Sequence, residues 1–158
     1  MEWVLRAMGV FYAGAGVAYA RTFAMDSVLD QALEAIEGKP QSRQERIKTL
    51  WLKTGAALTV AGGLALVTLS WWIAPLMIAN ALVQGAFLLY ARRALPPEDA
   101  IEDQGRRQTT NAFFVWLVAT AIALSAVLGP RSPVIEGLMQ DWLPPLGGAA
   151  FLGWMLLQ

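Results

Sequence analysis

Long apolar runs alternate with short charged stretches along the chain, and the runs have the length of membrane-crossing helices. They fall at 3–20, 50–69, 73–91, 111–128 and 142–157. A helix rises about 1.5 Å per residue and the bilayer core is about 30 Å thick, so roughly 20 apolar residues make one crossing. The fifth run is the shortest, about 24 Å as a helix. It reads as a span of a thinned bilayer, as a span that begins before 142, or as a re-entrant segment. Ser70-Trp71-Trp72 leaves room only for a turn, so the second and third runs form an antiparallel hairpin. Pro75 falls in the first turn of the third run, where proline is tolerated.

The first run ends in Ala18-Tyr19-Ala20, which has the small-x-small form of a signal-peptide cleavage site. Its leading residues, however, include Glu2 and only Arg6, where a signal peptide carries early positive charge, so the run is expected to be a retained helix. Beyond it, Met25, Val28, Leu29, Ala32, Leu33 and Ile36 recur at helical spacing, while Asp26, Asp30, Glu34 and Glu37 take the other positions. This predicts a short amphipathic helix over 25–37, stopped by Gly38 and Pro40. Helices that lie on lipid usually carry Lys and Arg. An acidic one fits protein better, which makes Val28, Leu29, Leu33 and Ile36 a candidate docking face. Ser42-Arg43-Gln44-Glu45 has the form of a capping box and opens the next helix. Pro96-Pro97 and the 129–133 stretch break the chain on either side of the fourth run.

The pattern predicts a single all-α domain. It is a polytopic transmembrane helix bundle of five spans, or four plus a re-entrant C-terminal segment, with a short cytoplasmic amphipathic helix. Composition agrees: 56% of residues are hydrophobic and 15% charged, against about 25% charged in soluble domains. The chain has no cysteine and no histidine. That removes disulfides, thiolate nucleophiles, Cys/His zinc sites, histidine-ligated haem and the side chain best suited to proton transfer near neutral pH. No phosphate-binding glycine loop and no Ser/His/Asp set is present. The expectation is no catalytic site, no metal and no cofactor. A formal net charge of zero gives no argument for nucleic acid.

Charge placement sets an expected orientation. Arg21, Lys39, Arg43, Arg46, Lys48 and Lys53 lie in or beside the first connection, and Arg92, Arg93, Arg106 and Arg107 in the third. The second connection has no basic residue and the fourth only Arg131. By the positive-inside rule, connections 21–53 and 92–110 face the cytoplasm of a bacterial inner membrane and the N-terminus lies outside. Trp3, Trp71, Trp72 and Trp142 then sit at outer ends, and Tyr19, Trp51 and Tyr90 at inner ones, where interfacial aromatics belong. Arg6, one turn inside the outer end, is expected to snorkel outward.

Within the apolar runs, Asn80 and Gln84 stand out. They lie four residues apart near the middle of the third run and so share one helix face. An amide exposed to lipid is costly, so both are expected to face protein, bonded to Thr54 or Thr59 on the preceding span or to Thr120 on the fourth. The alternative is a polar lining for a solute. Small-residue stripes (Gly9, Ala13, Gly16, Ala20; Gly55, Thr59, Gly62, Gly63; Ala112, Ala119, Ala123, Ala126) predict closely packed helices. Glu136 and Asp141 are expected beside the outer headgroups, pairing with Arg6 only if the last helix begins near Val134. Arg92, Arg93, Arg106 and Arg107 are candidate contacts for lipid headgroups. The expected function is a non-catalytic accessory, assembly or structural subunit, with membrane lipids and another membrane protein or a second copy as partners. The alternative is a small oligomeric channel or transporter lined by Asn80 and Gln84.

Overall fold

The structure, a computed structural model, describes residues 2–37, 43–94, 100–130, 132–135 and 137–157. Side chains are described for these except at 26–31, 33–37, 44, 100–102 and 138–140. Five helices and no strand occur among the described residues: α1 (Glu2–Glu37), α2 (Arg43–Thr68), α3 (Ile73–Ala94), α4 (Ala100–Val127) and α5 (Leu138–Leu156). The protein is all-α. Three helical stretches, Glu45–Thr68, Ile73–Ala94 and Asp103–Val127, are long and apolar enough to cross a membrane, which marks a membrane protein. The described residues of α1 and α5 are not among them.

The helices run longer than the apolar runs. The separate elements expected at 3–20 and 25–37 are one rod of 36 residues, about 54 Å long. Arg21-Thr22-Phe23-Ala24 joins them without glycine or proline, so polarity changes where the backbone has no reason to break. α2 likewise begins at Arg43 and α4 at Ala100, well before their apolar parts. α5 begins at Leu138, which lengthens it to 19 residues, about 28 Å. Pro144 and Pro145 lie inside it. Each lacks the N–H that would bond one turn back, an intrinsic cost of about 3 kcal/mol in a helix interior. Packing holds the helix together there: Pro144 is fully buried, and Gly147 and Gly148 lie against α2.

α2 is the centre of the bundle, and each of its faces is read out at helical spacing. Ala56, Val60 and Gly63 face α1, Ala57, Ala61 and Leu64 face α5, and Gly55, Thr59 and Gly62 face α3. The α1–α2 contact is backbone against backbone. A Cβ on Gly9 would stand 2.6 Å from the Gly63 carbonyl oxygen, and one on Gly63 would stand 2.5 Å from the Ala13 nitrogen. On the α5 side a Cβ on Gly148 would meet the Ala61 Cβ at 2.6 Å. Only glycine allows approaches this close. The α2–α3 pair is more widely spaced: a Cβ on Gly62 would meet Met77 Cγ at 3.9 Å, an ordinary contact. α4 packs on α3 and reaches α1 through the Tyr12–Trp116 ring pair, 6.3 Å between centroids. Leu5, Tyr12, Leu66, Leu69, Ile73, Met77, Ala123 and Val127 form the core that these four helices share.

The α2–α3 turn is as tight as its sequence requires. Leu69 takes a left-handed conformation, φ 54°, which costs a non-glycine residue about 1–2 kcal/mol. Its side chain is fully buried in the shared core, and the Ser70 N–H bonds back to the Ala65 carbonyl at 3.0 Å, closing the end of α2. The Ser70 hydroxyl accepts the Trp72 N–H at 3.2 Å. Ile135 N–H bonds to the Leu69 carbonyl at 2.9 Å, which ties the segment before α5 to this same end.

Candidate functional site

The polar centre of the bundle lies between α2 and α3. The tight turn fixes the register of the pair, and Thr59 meets Asn80 and Gln84 at matching depth. Asn80, 2% exposed, donates its Nδ2 to the Thr59 hydroxyl oxygen at 3.0 Å. Gln84 donates its Nε2 to Asn80 Oδ1 at 2.9 Å and approaches the Thr59 oxygen at 3.4 Å. Thr59 in turn donates to the Gly55 carbonyl one turn back, at 2.8 Å. Two amides and a hydroxyl thus satisfy one another in an apolar setting, where an unpaired polar group is expensive. None of the three titrates near neutral pH, so the cluster can hold helices together or orient a polar molecule but cannot carry a proton.

The other expected partners are not used. Thr54 sits on α2 one turn nearer its start and donates to its own Leu50 carbonyl at 2.8 Å. Thr120 is 3% exposed on α4, and its hydroxyl oxygen has no hydrogen-bond partner. α4 meets α3 at another face, where Phe113 stands against Gly85, so the amide face of α3 turns to α2 instead.

Three cations missed as structural groups close helix ends. Arg6 does not simply snorkel; its Nη1 donates to the Val67 carbonyl near the end of α2 at 2.9 Å. Lys53 donates to the Met155 carbonyl near the end of α5 and lies over the Phe23 ring of α1, 5.9 Å from its centroid. Arg106 Nη1 donates to the Ala91 carbonyl near the end of α3 at 3.1 Å. The last carbonyls of a helix lack intrahelical partners and carry the negative end of its dipole, so a cation from a neighbouring helix meets both needs. One sequence signal existed for Arg6 and Lys53: each is a single cation set within or at the edge of an apolar run, where a nearby helix end is the natural acceptor.

Of the remaining candidates, Arg92 and Arg93 are exposed on the last turn of α3, and Arg107 pairs with Asp103 one turn away at 2.9 Å. Val28, Leu29, Leu33 and Ile36 lie on the α1 backbone, but their side chains are outside the described residues, as is Glu136. Asp141 stands in the first turn of α5, its Oδ1 buried without a partner. Since α5 begins at Leu138 and Arg6 is engaged with Val67, the condition for an Arg6–Asp141 pair, a start near Val134, is not met. Among the described residues no group of three or more acidic side chains is placed to hold a metal ion. Neither protein-family models, nor characterised proteins, nor solved structures give any match to this chain.

Proposed function

We propose that this chain is a non-catalytic integral membrane protein, an accessory, assembly or structural subunit that acts through helix–helix contacts in the bilayer. The observation that carries this reading is the internal bonding of the Thr59–Asn80–Gln84 cluster: the Gln84 amide donates to the Asn80 oxygen and the Asn80 amide to Thr59, rather than into a lumen. Interhelical bonds of this kind contribute about 0.6–2 kcal/mol each in membranes, enough to fix helix pairing. In this reading the chain crosses a bacterial inner membrane five times, with its N-terminus outside and 21–53 and 92–110 in the cytoplasm. Supporting it are the Lys/Arg imbalance between connections and the antiparallel course of α2 against α1, α3 and α5. The partner is another membrane protein or a second copy, and the Val28–Leu29–Leu33–Ile36 face of α1 is the proposed cytoplasmic docking surface.

Gentle solubilisation followed by mass determination and cross-linking tests the reading. A stable foreign partner, reduced by Leu29→Asp or Leu33→Asp, supports a subunit. A symmetric homo-oligomer whose solute flux in liposomes vanishes on replacing Asn80 and Gln84 with Leu, with the fold intact, replaces it with the channel or transporter.

A further inference from the structure

We propose that the last turn of α3 and the facing turn of α4 form a binding site for the phosphate of an anionic membrane lipid. The proposal rests on the reading that both helices cross a membrane. Arg92 and Arg93 are exposed at the end of the apolar part of α3, and neither makes a hydrogen bond or ion pair among the described residues. Arg106 reaches from α4 to the Ala91 carbonyl, which anchors the start of α4 beside this turn and places a third guanidinium within two residues of the pair. Arg107 follows on α4, tethered by Asp103. Several planar guanidinium groups on one rim match the oxygens of a phosphate, which arginine binds bidentately.

Depth identifies the source of that phosphate. Tyr90 stacks on Trp51 with centroids 6.4 Å apart, and Trp51 also meets Phe87 at 5.9 Å. Interfacial Trp and Tyr sit at the headgroup level. Arg92 and Arg93 come within one turn of Tyr90, so their side chains reach the plane of the lipid phosphates rather than open water. The basic residues at the start of α2, Arg43 and Arg46, lie farther along the chain from their apolar run and serve as the internal control.

The full chain is reconstituted into vesicles of phosphatidylcholine alone and of phosphatidylcholine mixed with phosphatidylglycerol, floated on a gradient, then extracted gently. The lipids that stay bound are identified by mass spectrometry. The expected result is insertion into both vesicles, preferential retention of phosphatidylglycerol, and a loss of preference of roughly fivefold for each of Arg92→Gln and Arg93→Gln. Arg43→Gln with Arg46→Gln should leave the preference largely intact, and excess inorganic phosphate should not displace the lipid. Equal retention of the two lipids, a loss in the Arg43→Gln, Arg46→Gln double variant equal to that in Arg92→Gln or Arg93→Gln, or displacement by inorganic phosphate overturns the site while leaving the membrane reading standing. Failure to insert into either vesicle overturns both.

Discussion

Half of the apolar stretch of α2 is buried inside the protein, 50%, against 17% for those of α3 and α4. All three are apolar enough to cross a membrane, so apolarity is not what separates them. Side-chain size is. The faces of α2 are built from Gly55, Ala56, Ala57, Ala61, Gly62 and Gly63, whereas α3 and α4 present Ile78, Leu82, Leu89, Phe114, Val115, Val118 and Ile122 outward. Lipid tails are as apolar as leucine, so a large apolar side chain gains little by leaving them, while small residues gain backbone contact by meeting each other. The helix at the centre of this bundle is the one with the least to offer lipid.

The largest effect is expected where that principle is most extreme. Gly63→Leu puts atoms into the backbone of α1 and should cost about 3 kcal/mol or more, read as loss of the folded form in a detergent unfolding titration. Gly14→Ala, where nothing lies within 4 Å, should be neutral or stabilise by up to about 1 kcal/mol through helix propensity. Equal behaviour of the two would break the comparison. Next comes the α2–α3 seam: Asn80→Leu with Gln84→Leu should cost about 1–4 kcal/mol in the same titration and leave the helix content unchanged. Arg6→Leu leaves the Val67 carbonyl without its partner and should cost about 1–3 kcal/mol, with Arg6→Lys recovering part of it. The smallest effect belongs to the α4 side. Thr120→Val removes a buried hydroxyl that has no partner and should stabilise by about 1 kcal/mol or leave stability unchanged; a clear loss would mean that the hydroxyl is engaged.

Much of this architecture is legible in the residues. The apolar runs locate the helices, because burial and lipid exposure both demand apolar side chains. The Thr59–Asn80–Gln84 meeting is legible because the turn at 69–72 is too short to permit another register. The bonds that cross between distant elements are less so. Arg6, Lys53 and Arg106 bond to backbone carbonyls, which every residue carries, so no side-chain type marks the acceptor. The continuity of α1 is hidden for a different reason: periodicity reports the environment of side chains, and the environment changes near residue 21 while the hydrogen-bond ladder does not. The choice of Thr59 over Thr54 follows from the register that the turn sets, since both lie on α2, whereas the choice of α2 over Thr120 on α4 depends on which helix the amide face meets, a fact of assembly and not of spacing.

The reach of Lys53 has a consequence for how the chain is made. Its acceptor, the Met155 carbonyl, lies 102 residues further along the chain. A growing chain therefore contains both α1 and α2, with the Gly9 and Gly63 that join them, long before α5 exists. Throughout that interval Lys53 lacks the Met155 carbonyl as acceptor, and the α5 face of α2, Ala57 and Ala61, lacks the helix that covers it. Docking of α5 then covers the face and neutralises the end of the new helix in one event. The order of the chain thus sets the order in which these contacts become available, and α5, the last helix along it, is the piece that completes the surroundings of α2.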